Sequence, residues 1–209
     1  IDRHNDETGT AALSKYFGEK CIVYSLKNAI DNQMLTRYYY YPVLTYLNQD
    51  ELFEYLTITS QLAKALYKKN GKTILTEYAK QLLIKRSRII AGAKGKLAAL
   101  QKQIIPFIHD KHILVYCGAA TVRDEDDFDF GKRQIDLVTE LLGNTLNMRV
   151  GRFTSKESAQ ERAQIRTAFA QGEMLQALVA IKCLDEGVNI PSIKTAFILA
   201  SSTNPKEYI

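Results

Sequence analysis

Four short apolar runs alternate with helical segments in the second half of the chain, at residues 112–117, 147–153, 175–181 and 195–200. Continuous apolar strands are typically buried on both faces, so this alternation predicts an α/β fold in which helices cover both sides of a parallel sheet. Ligands of such sheets bind beyond the carboxyl ends of the strands. The polar, glycine-containing sequence after the 175–181 run is therefore a candidate functional loop.

The helices between these strands are predicted from their end signals. One spans residues 133–142 and ends at Gly143, and another begins with a capping box at residues 154–157 and ends at Gly172. Ser or Thr followed by Glu three residues later satisfies the unpaired N–H groups of a first turn, and glycine accepts the left-handed backbone after a last turn.

Upstream of Pro106 the sequence predicts shorter and more helical elements. Residues 8–17 favour a helix ended by Gly18, residues 21–24 a short strand, and residues 25–30 a helical turn capped by Ser25. Residues 34–47 are β-rich but contain a proline, which favours an edge strand or an extended connector.

Two long helices are expected next, and together they predict a helical hairpin. The first spans residues 48–69 and ends at Asn70-Gly71, and the second begins at Thr73 and continues to 105 with a weak point at Gly92 and Gly95. The predicted regions are therefore 1–47, the hairpin 48–106, and the α/β domain 107–209.

Four consecutive tyrosines, residues 38–41, lie in the β-rich segment. Aromatic rings in a row can form a platform on which nucleic-acid bases stack. Alternate side chains of an extended chain face opposite sides, however, which favours two packed and two half-exposed rings.

Positive charge is concentrated on the predicted hairpin. The chain has a formal net charge of +5, whereas residues 61–111 contain twelve Lys or Arg and two acids, which is 12 − 2 = +10. Such a block is typical either of a surface that meets nucleic-acid phosphates or of solvated basic helices.

The sequence has no clear motif for a phosphate-binding loop, a metal site or a membrane span. Asn70-Gly71-Lys72-Thr73 resembles the end of a phosphate-binding loop, but position 66 is Leu instead of Gly and Gly71 is better explained as a helix stop. Five acids within residues 124–129 favour a solvated insertion over a metal site. The three His and three Cys lack ligand spacing, and no apolar run is long enough for a membrane span. We expect no metal site, no catalytic residue in this chain, no membrane contact, and a cytoplasmic location.

Candidate binding residues lie around two of the predicted strand ends. Thr154, Ser155 and Arg162 mark the start of a helix, where unpaired N–H groups favour a backbone phosphate. Lys182 follows a strand and suits another phosphate. Gly187 permits close approach of the backbone to a ligand, and the amide of Asn189 can bond a ribose hydroxyl.

With these motifs the chain resembles the second RecA-like domain of superfamily 2 helicases of the DEAD/DEAH group, especially DNA-repair helicases and restriction-enzyme motor subunits. Residues 112–118 resemble motif IV, residues 154–162 the phosphate-contacting motif, and residues 179–191 motif V. Residues 200–209 resemble the approach to motif VI. Residues 1–4 and 21–42 are similar to the end of the first RecA-like domain.

The resemblance implies a P-loop NTPase-type parallel sheet and a piece of a longer ATP-dependent helicase or translocase. It implies strand contacts by Thr154, Ser155, Arg162 and Lys182, and nucleotide contacts by Glu186, Gly187 and Asn189. The family usually has Asp in place of Asn189, whose oxygen also accepts a hydrogen bond.

The remaining half of the ATP site would lie outside these residues. ATP and Mg²⁺ are therefore expected in the parent protein, whereas the 209 residues alone are expected to bind neither and to be inactive. Implied partners are DNA, or RNA as the second choice, a first RecA-like domain of the same chain, and restriction or repair subunits. The alternative hypothesis is a basic nucleic-acid-binding module or adaptor that hydrolyses nothing.

Overall fold

The structure is a computed structural model that describes residues 6–18, 20–69, 72–118, 121–122, 132–154, 156–181, 190 and 192–200. The chain divides into two compact units, residues 1–43 and 44–209.

The first unit contains two short helices. Helix α1 (Glu7–Phe17) begins at Asp6, whose side chain accepts from the Gly9 amide, and ends at Gly18 with φ of +83°. Helix α2 (Leu26–Asp31) begins at Ser25, whose hydroxyl accepts from the Asn28 amide, as the sequence predicts.

Two predictions for the first 47 residues are wrong. Residues 21–24 do not form a strand, and their side chains are exposed in a segment that pairs with no other described strand. Residues 36–48 form no regular element and have no ladder partner among the described residues, which leaves the connector alternative. All four tyrosines at 38–41 are more than half exposed, so two of them do not pack as predicted, although Tyr39 and Tyr41 lie on one side with ring centroids 6.5 Å apart.

A helical hairpin opens the second unit. Helix α3 (Gln49–Ala65) is followed by strands β1 (Tyr67–Lys69) and β2 (Lys72–Ile74), which pair antiparallel, and then by α4 (Glu77–Ala91). Ile58 and Leu62 of α3 pack against Ala79 and Leu82 of α4.

The ends of the hairpin helices differ from the prediction. Helix α3 ends at Ala65 and is followed by a strand, so the predicted end at residue 69 is wrong, and the α4 cap is Thr76 instead of Thr73. Asn70 and Gly71 lie outside the described residues. An Asn-Gly sequence is a strong hairpin signal, and it favours a two-stranded ribbon here over a continued helix.

The second long helix breaks where glycine predicted a weak point. Helix α4 ends at Ala91, and α5 (Gly95–Ile104) begins after a short bend. A Cβ at Gly95 would lie 2.8 Å from the backbone oxygen of Tyr46, so only glycine permits the extended chain before α3 to pass this close. A 3₁₀ turn (Ile105–Phe107) leads from α5 to the sheet.

The α/β region has the predicted parallel sheet. Strands β3 (Ile113–Cys117), β6 (Val150–Phe153), β7 (Ala177–Ile181) and β8 (Thr195–Ile198) are arranged in the order β6-β7-β3-β8, and every pair is parallel. Two residue pairs, β4 (Thr121–Val122) and β5 (Lys132–Arg133), form a separate antiparallel ribbon. The first predicted strand thus begins within one residue of its observed start, whereas 147–149 and 175–176 precede their strands.

Helices cover both faces of the sheet. Ile113, Val115 and Cys117 of β3 contact α5 and α6 (Gln134–Glu140), which continues as a π-helical turn through Leu141–Thr145. Leu114 and Tyr116, on the opposite face, contact Phe169 of α7 (Ala159–Gln171). This alternation along one strand is the reason that its sequence is continuously apolar.

Helix α7 ends as predicted but begins later. Gly172 follows it in the left-handed conformation with φ of +71°. The helix starts after Ser158, whose hydroxyl and Glu161 form the capping box, and not at Thr154. The Thr154 to Glu157 segment forms a separate turn before the helix.

Candidate functional site at the carboxyl edge of the sheet

The loops that contain most of the predicted site residues leave the sheet at one edge. Strands β6 and β7 are neighbours, with Phe153 opposite Ala180, and β7 and β3 end together with Cys117 opposite Ile181. Thr154 follows β6 directly, and Lys182 follows β7 directly in the sequence. Parallel topology therefore brings together the ends of β6 and β7, the strands that precede the two predicted binding segments in the sequence.

Of the seven predicted binding residues, the structure describes two, Thr154 and Arg162. Five lie outside the described residues: Ser155, Lys182, Glu186, Gly187 and Asn189. The acidic run 124–129 lies outside them as well. The roles of all seven residues stay predictions.

Thr154 is held in a turn by Glu157. The Thr154 amide donates to Glu157 Oε2 at 2.6 Å, and its hydroxyl donates to the same oxygen at 2.7 Å. Desolvation opposes the ionisation of Glu157, but these hydrogen bonds and the charge of Arg162 lower its pKa overall. A carboxylate therefore occupies the donor pair that the sequence assigns to a phosphate.

Arg162 lies in the first turns of α7 and is half buried, with its amide bonded to the Ser158 carbonyl. Its Nε atom is buried and has no hydrogen-bond partner among the described residues. A buried N–H without an acceptor is unfavourable, so a ligand oxygen that reached it would gain a full hydrogen bond. Guanidinium groups suit phosphate oxygens in particular.

A second polar group lies at the same edge, around the bend between α4 and α5. We call it the edge cluster, and it comprises Ala91, Lys96, Gly118, Gln134 and Leu199. Gln134 accepts from the Gly118 amide at 2.8 Å and donates to the Ala91 carbonyl at 3.2 Å. Lys96 Nζ donates to the Leu199 carbonyl at 3.0 Å and to the same Ala91 carbonyl at 3.4 Å.

The edge cluster joins the end of α4 to the exits of β3 and β8. Ala91 ends α4, where helix carbonyls lack intrahelical partners and attract cations. Burial lowers the pKa of Lys96 to about 8. A half-buried cation and a buried glutamine thus fix two strand exits that sequence reasoning did not select.

Sequence signals for these additional residues are weak. Lys96 and Gln134 each contact backbone groups 43 or 103 residues away, so local spacing cannot reveal them. Glu157 has a local signal, since Thr-x-x-Glu is a capping pattern, but it was assigned to the start of a helix and not to a separate turn.

The described residues bear on three further properties: metal binding, thiol reactivity and membrane insertion. Within the described ranges, no group of His, Cys, Asp and Glu could hold a metal ion. Burial raises the pKa of the Cys117 thiol to about 12, which leaves it protonated and inert in the core. None of the described helices combines the length and the hydropathy of a membrane span.

The four-stranded parallel sheet with helices on both faces defines a RecA-like α/β domain. Residues 95–209, just over half of the chain, match the family described as the helicase conserved C-terminal domain. The chain belongs to this family, which confirms the predicted second RecA-like domain of the superfamily 2 type. Among curated proteins, none matches the chain significantly.

Solved structures support the same fold at low sequence identity. The Sulfolobus solfataricus SWI2/SNF2 ATPase C-terminal domain has a TM-score of 0.54 and 15% identity, covering 75% of this chain and 69% of that chain. The Sulfolobus solfataricus SWI2/SNF2 ATPase core in complex with dsDNA has a TM-score of 0.52 and 14% identity, covering 74% of this chain and 33% of that chain. The present chain thus spans a third of that second protein.

Proposed function

We propose that this chain forms the second RecA-like domain of an ATP-dependent helicase or translocase that acts on DNA. The observation that carries the proposal is the family match over residues 95–209, together with a parallel sheet whose loops leave at one edge. A first RecA-like domain would supply the other wall of the nucleotide site. Restriction or repair subunits are further candidate partners.

The strand backbone would be bound by Thr154, Ser155, Arg162 and Lys182. The Nε of Arg162 supports this assignment, because it can bond a phosphate oxygen and has no hydrogen-bond partner among the described residues. The two donors of Thr154 are bonded to Glu157, so a phosphate would have to displace that carboxylate. DNA is the first choice of strand because a protein of the same fold was solved with dsDNA. RNA is the second choice.

The nucleotide would meet Glu186, Gly187 and Asn189 in the loop after β7. Gly187 would allow the backbone close to the ligand, and the Asn189 oxygen would accept from the ribose hydroxyl without the charge of an aspartate. ATP, bound with Mg²⁺, would supply the free energy for movement. Half-buried Lys96 lies at this edge of the sheet, where its charge suits an anionic ligand.

The test is DNA-stimulated ATP hydrolysis by the intact protein, with Arg162→Ala compared with Arg149→Ala. Arg149 is an exposed arginine at the opposite edge of the sheet, just before β6. We expect Arg162→Ala to weaken DNA binding and to reduce DNA stimulation about tenfold or more, since a charge-assisted hydrogen bond contributes ~1.5–3 kcal/mol. Arg149→Ala should leave both unchanged.

Two controls give the result its meaning. Circular dichroism and thermal unfolding check that Arg162→Ala is folded, and Arg162→Lys should restore part of the binding because it restores the charge. DNA binding by the wild-type intact protein without any hydrolysis of ATP would contradict the motor and favour a non-hydrolysing binding module or adaptor.

A further inference from the structure

We propose that the outer face of helix α4 in the helical hairpin is a second nucleic-acid-binding surface. It lies outside residues 95–209, the part that matches the helicase family. The choice of nucleic acid as ligand rests on the proposed function, and the surface itself rests on the contacts of the hairpin.

The charge of the hairpin is strongly one-sided beyond the start of α3. From Lys64 to Arg88 the sequence contains eight Lys or Arg and one acid, Glu77, which is 8 − 1 = +7. Glu77 is paired with Lys80, whose Nζ lies 2.6 Å from the carboxylate. No carboxylate in this stretch remains to neutralise the other basic residues.

Apart from Glu77, the acids of the hairpin lie on α3, and Glu51 in its first turn acts in local structure. Glu51 bonds the Asn48 amide through Oε2 and the Lys94 amide through Oε1, both at 2.9 Å. It therefore caps α3 and fixes the bend before α5. Asp50 lies in the same first turn, where a carboxylate is favoured by the helix dipole.

The outer face of α4 carries a stripe of hydrogen-bond donors. Tyr78, Gln81, Lys85 and Arg88 are spaced three and four residues apart, so they lie along one side of the helix, and all four are exposed. Ala79 and Leu82 of the same helix are buried against α3. Lys85 and Arg88 have no ion-pair partner among the described residues.

Arg86, by contrast, has a structural contact inside the hairpin. Its guanidinium lies 5.6 Å from the centroid of the Tyr55 ring on α3, and its side chain is only partly exposed. Lys85 and Arg88 lie within two residues of Arg86 in the sequence, but neither has a comparable contact with an aromatic ring among the described residues. Two cations without an ion-pair partner among the described residues, on the same helix as an exposed tyrosine, fit a phosphate backbone with a base or sugar against the ring.

The two strands between the helices add three lysines to the sequence of this segment. β1 and β2 contain Lys68, Lys69 and Lys72, with Lys69 paired to Lys72 in the ladder register. β2 ends at Ile74, four residues before Tyr78. The donor stripe of α4 is thus continuous in sequence with a basic ribbon.

The experiment measures DNA binding by the intact protein as a function of salt, using fluorescence anisotropy of a labelled duplex. The variant Lys85→Ala with Arg88→Ala is compared with Lys102→Ala with Lys194→Ala, which removes two exposed cations elsewhere. Each lost phosphate contact decreases the magnitude of the negative slope of log K against log salt by about 0.9. We expect a decrease of about 1 to 2 for the α4 variant and no change for the control.

Hydrolysis of ATP without DNA and thermal unfolding should be the same in both double variants, because the substituted residues are exposed. An unchanged salt slope in the α4 variant, or an equal decrease in the control, would overturn this proposal. If Arg162→Ala also has no effect, the proposed function fails too, whereas an effect of Arg162→Ala alone leaves that function intact. Binding of poly-glutamate but not of DNA through Lys85 and Arg88 would assign the surface to acidic polypeptides and overturn the proposal.

Discussion

The two edges of the parallel sheet are each closed by a buried glutamine, but the two glutamines have different surroundings. At the amino edge, Gln176 donates to the carbonyls of Ile108 and Asp110 and accepts from the Arg149 amide, at 3.1 to 3.3 Å. At the carboxyl edge, Gln134 has one acceptor and one donor contact and shares the Ala91 carbonyl with the cation of Lys96. Gln176 thus bonds only neutral backbone groups, whereas Gln134 shares its carbonyl partner with a cation.

We expect this difference in surroundings to give Gln176 a role in stability and Gln134 a role in function. Neutral hydrogen bonds between a buried amide and the backbone fix loops at little electrostatic cost, whereas a half-buried ammonium loses hydration that it regains only in part. At the carboxyl edge the Lys96 ammonium donates to two backbone carbonyls and leaves one cation beside the strand exits. Variants of the two glutamines therefore test whether the edges have separate tasks.

Gln176→Ala should have the largest effect on stability. Three backbone groups at partly buried positions lose their partner, and each unsatisfied group costs ~1–3 kcal/mol, so we expect a loss of about 3 kcal/mol in the free energy of unfolding. Urea unfolding measures it. Gln134→Ala leaves the Gly118 amide unpaired but retains Lys96 on Ala91, and should cost only about 2 kcal/mol.

The activities of the same two variants should rank in the opposite order. At a temperature where both are folded, Gln134→Ala should reduce DNA-stimulated turnover of ATP severalfold, because the exits of β3 and α4 lose their link, while Gln176→Ala should retain wild-type turnover. Equal activity losses, scaled to stability, would show that both glutamines are structural and would remove the distinction between the edges.

Sequence reasoning succeeded where short-range signals decide the structure. The apolar run before Gly118 gave strand β3 almost to the residue, and Gly172 ended α7 in a left-handed conformation. The break at Gly92 to Gly95 in the long helix was also visible, since glycine weakens a helix and here permits contact with Tyr46. The parallel topology followed from the alternation of elements.

Long-range contacts account for most of what the sequence did not predict. The amide of Gln134 contacts a carbonyl 43 residues away, and Lys96 contacts one 103 residues away, so neither role has a local pattern. Residues 21–24 have strand-like composition but no partner strand in the described residues, and composition alone does not form a ladder. The predicted start of α7 is wrong because two capping patterns follow each other, Thr154 with Glu157 and Ser158 with Glu161, and the helix begins at the second.

Lys96→Met tests whether the carboxyl edge holds an unfavourable charge. The pKa of Lys96 is about 8 in the folded protein, below the ordinary lysine value of 10.5. Between these values the unfolded chain binds more protons, so the stability contributed by this group rises with pH. The wild type should therefore gain stability relative to Lys96→Met as pH increases from 7 to 10.

Urea unfolding at several pH values measures this difference, and Lys102→Met is the matched control because Lys102 is exposed on the same helix. Its pH curve should parallel that of the wild type. A parallel curve for Lys96→Met as well would mean that the ammonium is not desolvated, and the contrast between neutral and charged edges would lose its main support.

Glu157→Gln should have the smallest effect of these variants, and it should strengthen DNA binding instead of weakening it. The Glu157 carboxylate accepts both donors of Thr154, and its lowered pKa keeps it ionised at neutral pH. A phosphate at this place must displace a competing anion, whereas a glutamine amide can accept the same bonds but repels no phosphate. We expect DNA affinity to increase two- to fivefold, measured by anisotropy at fixed salt, with Glu173→Gln at the opposite edge as a control. Decreased affinity would instead indicate that Glu157 positions Thr154 for the strand, and the carboxyl edge would then depend on an acid as well as on its cations.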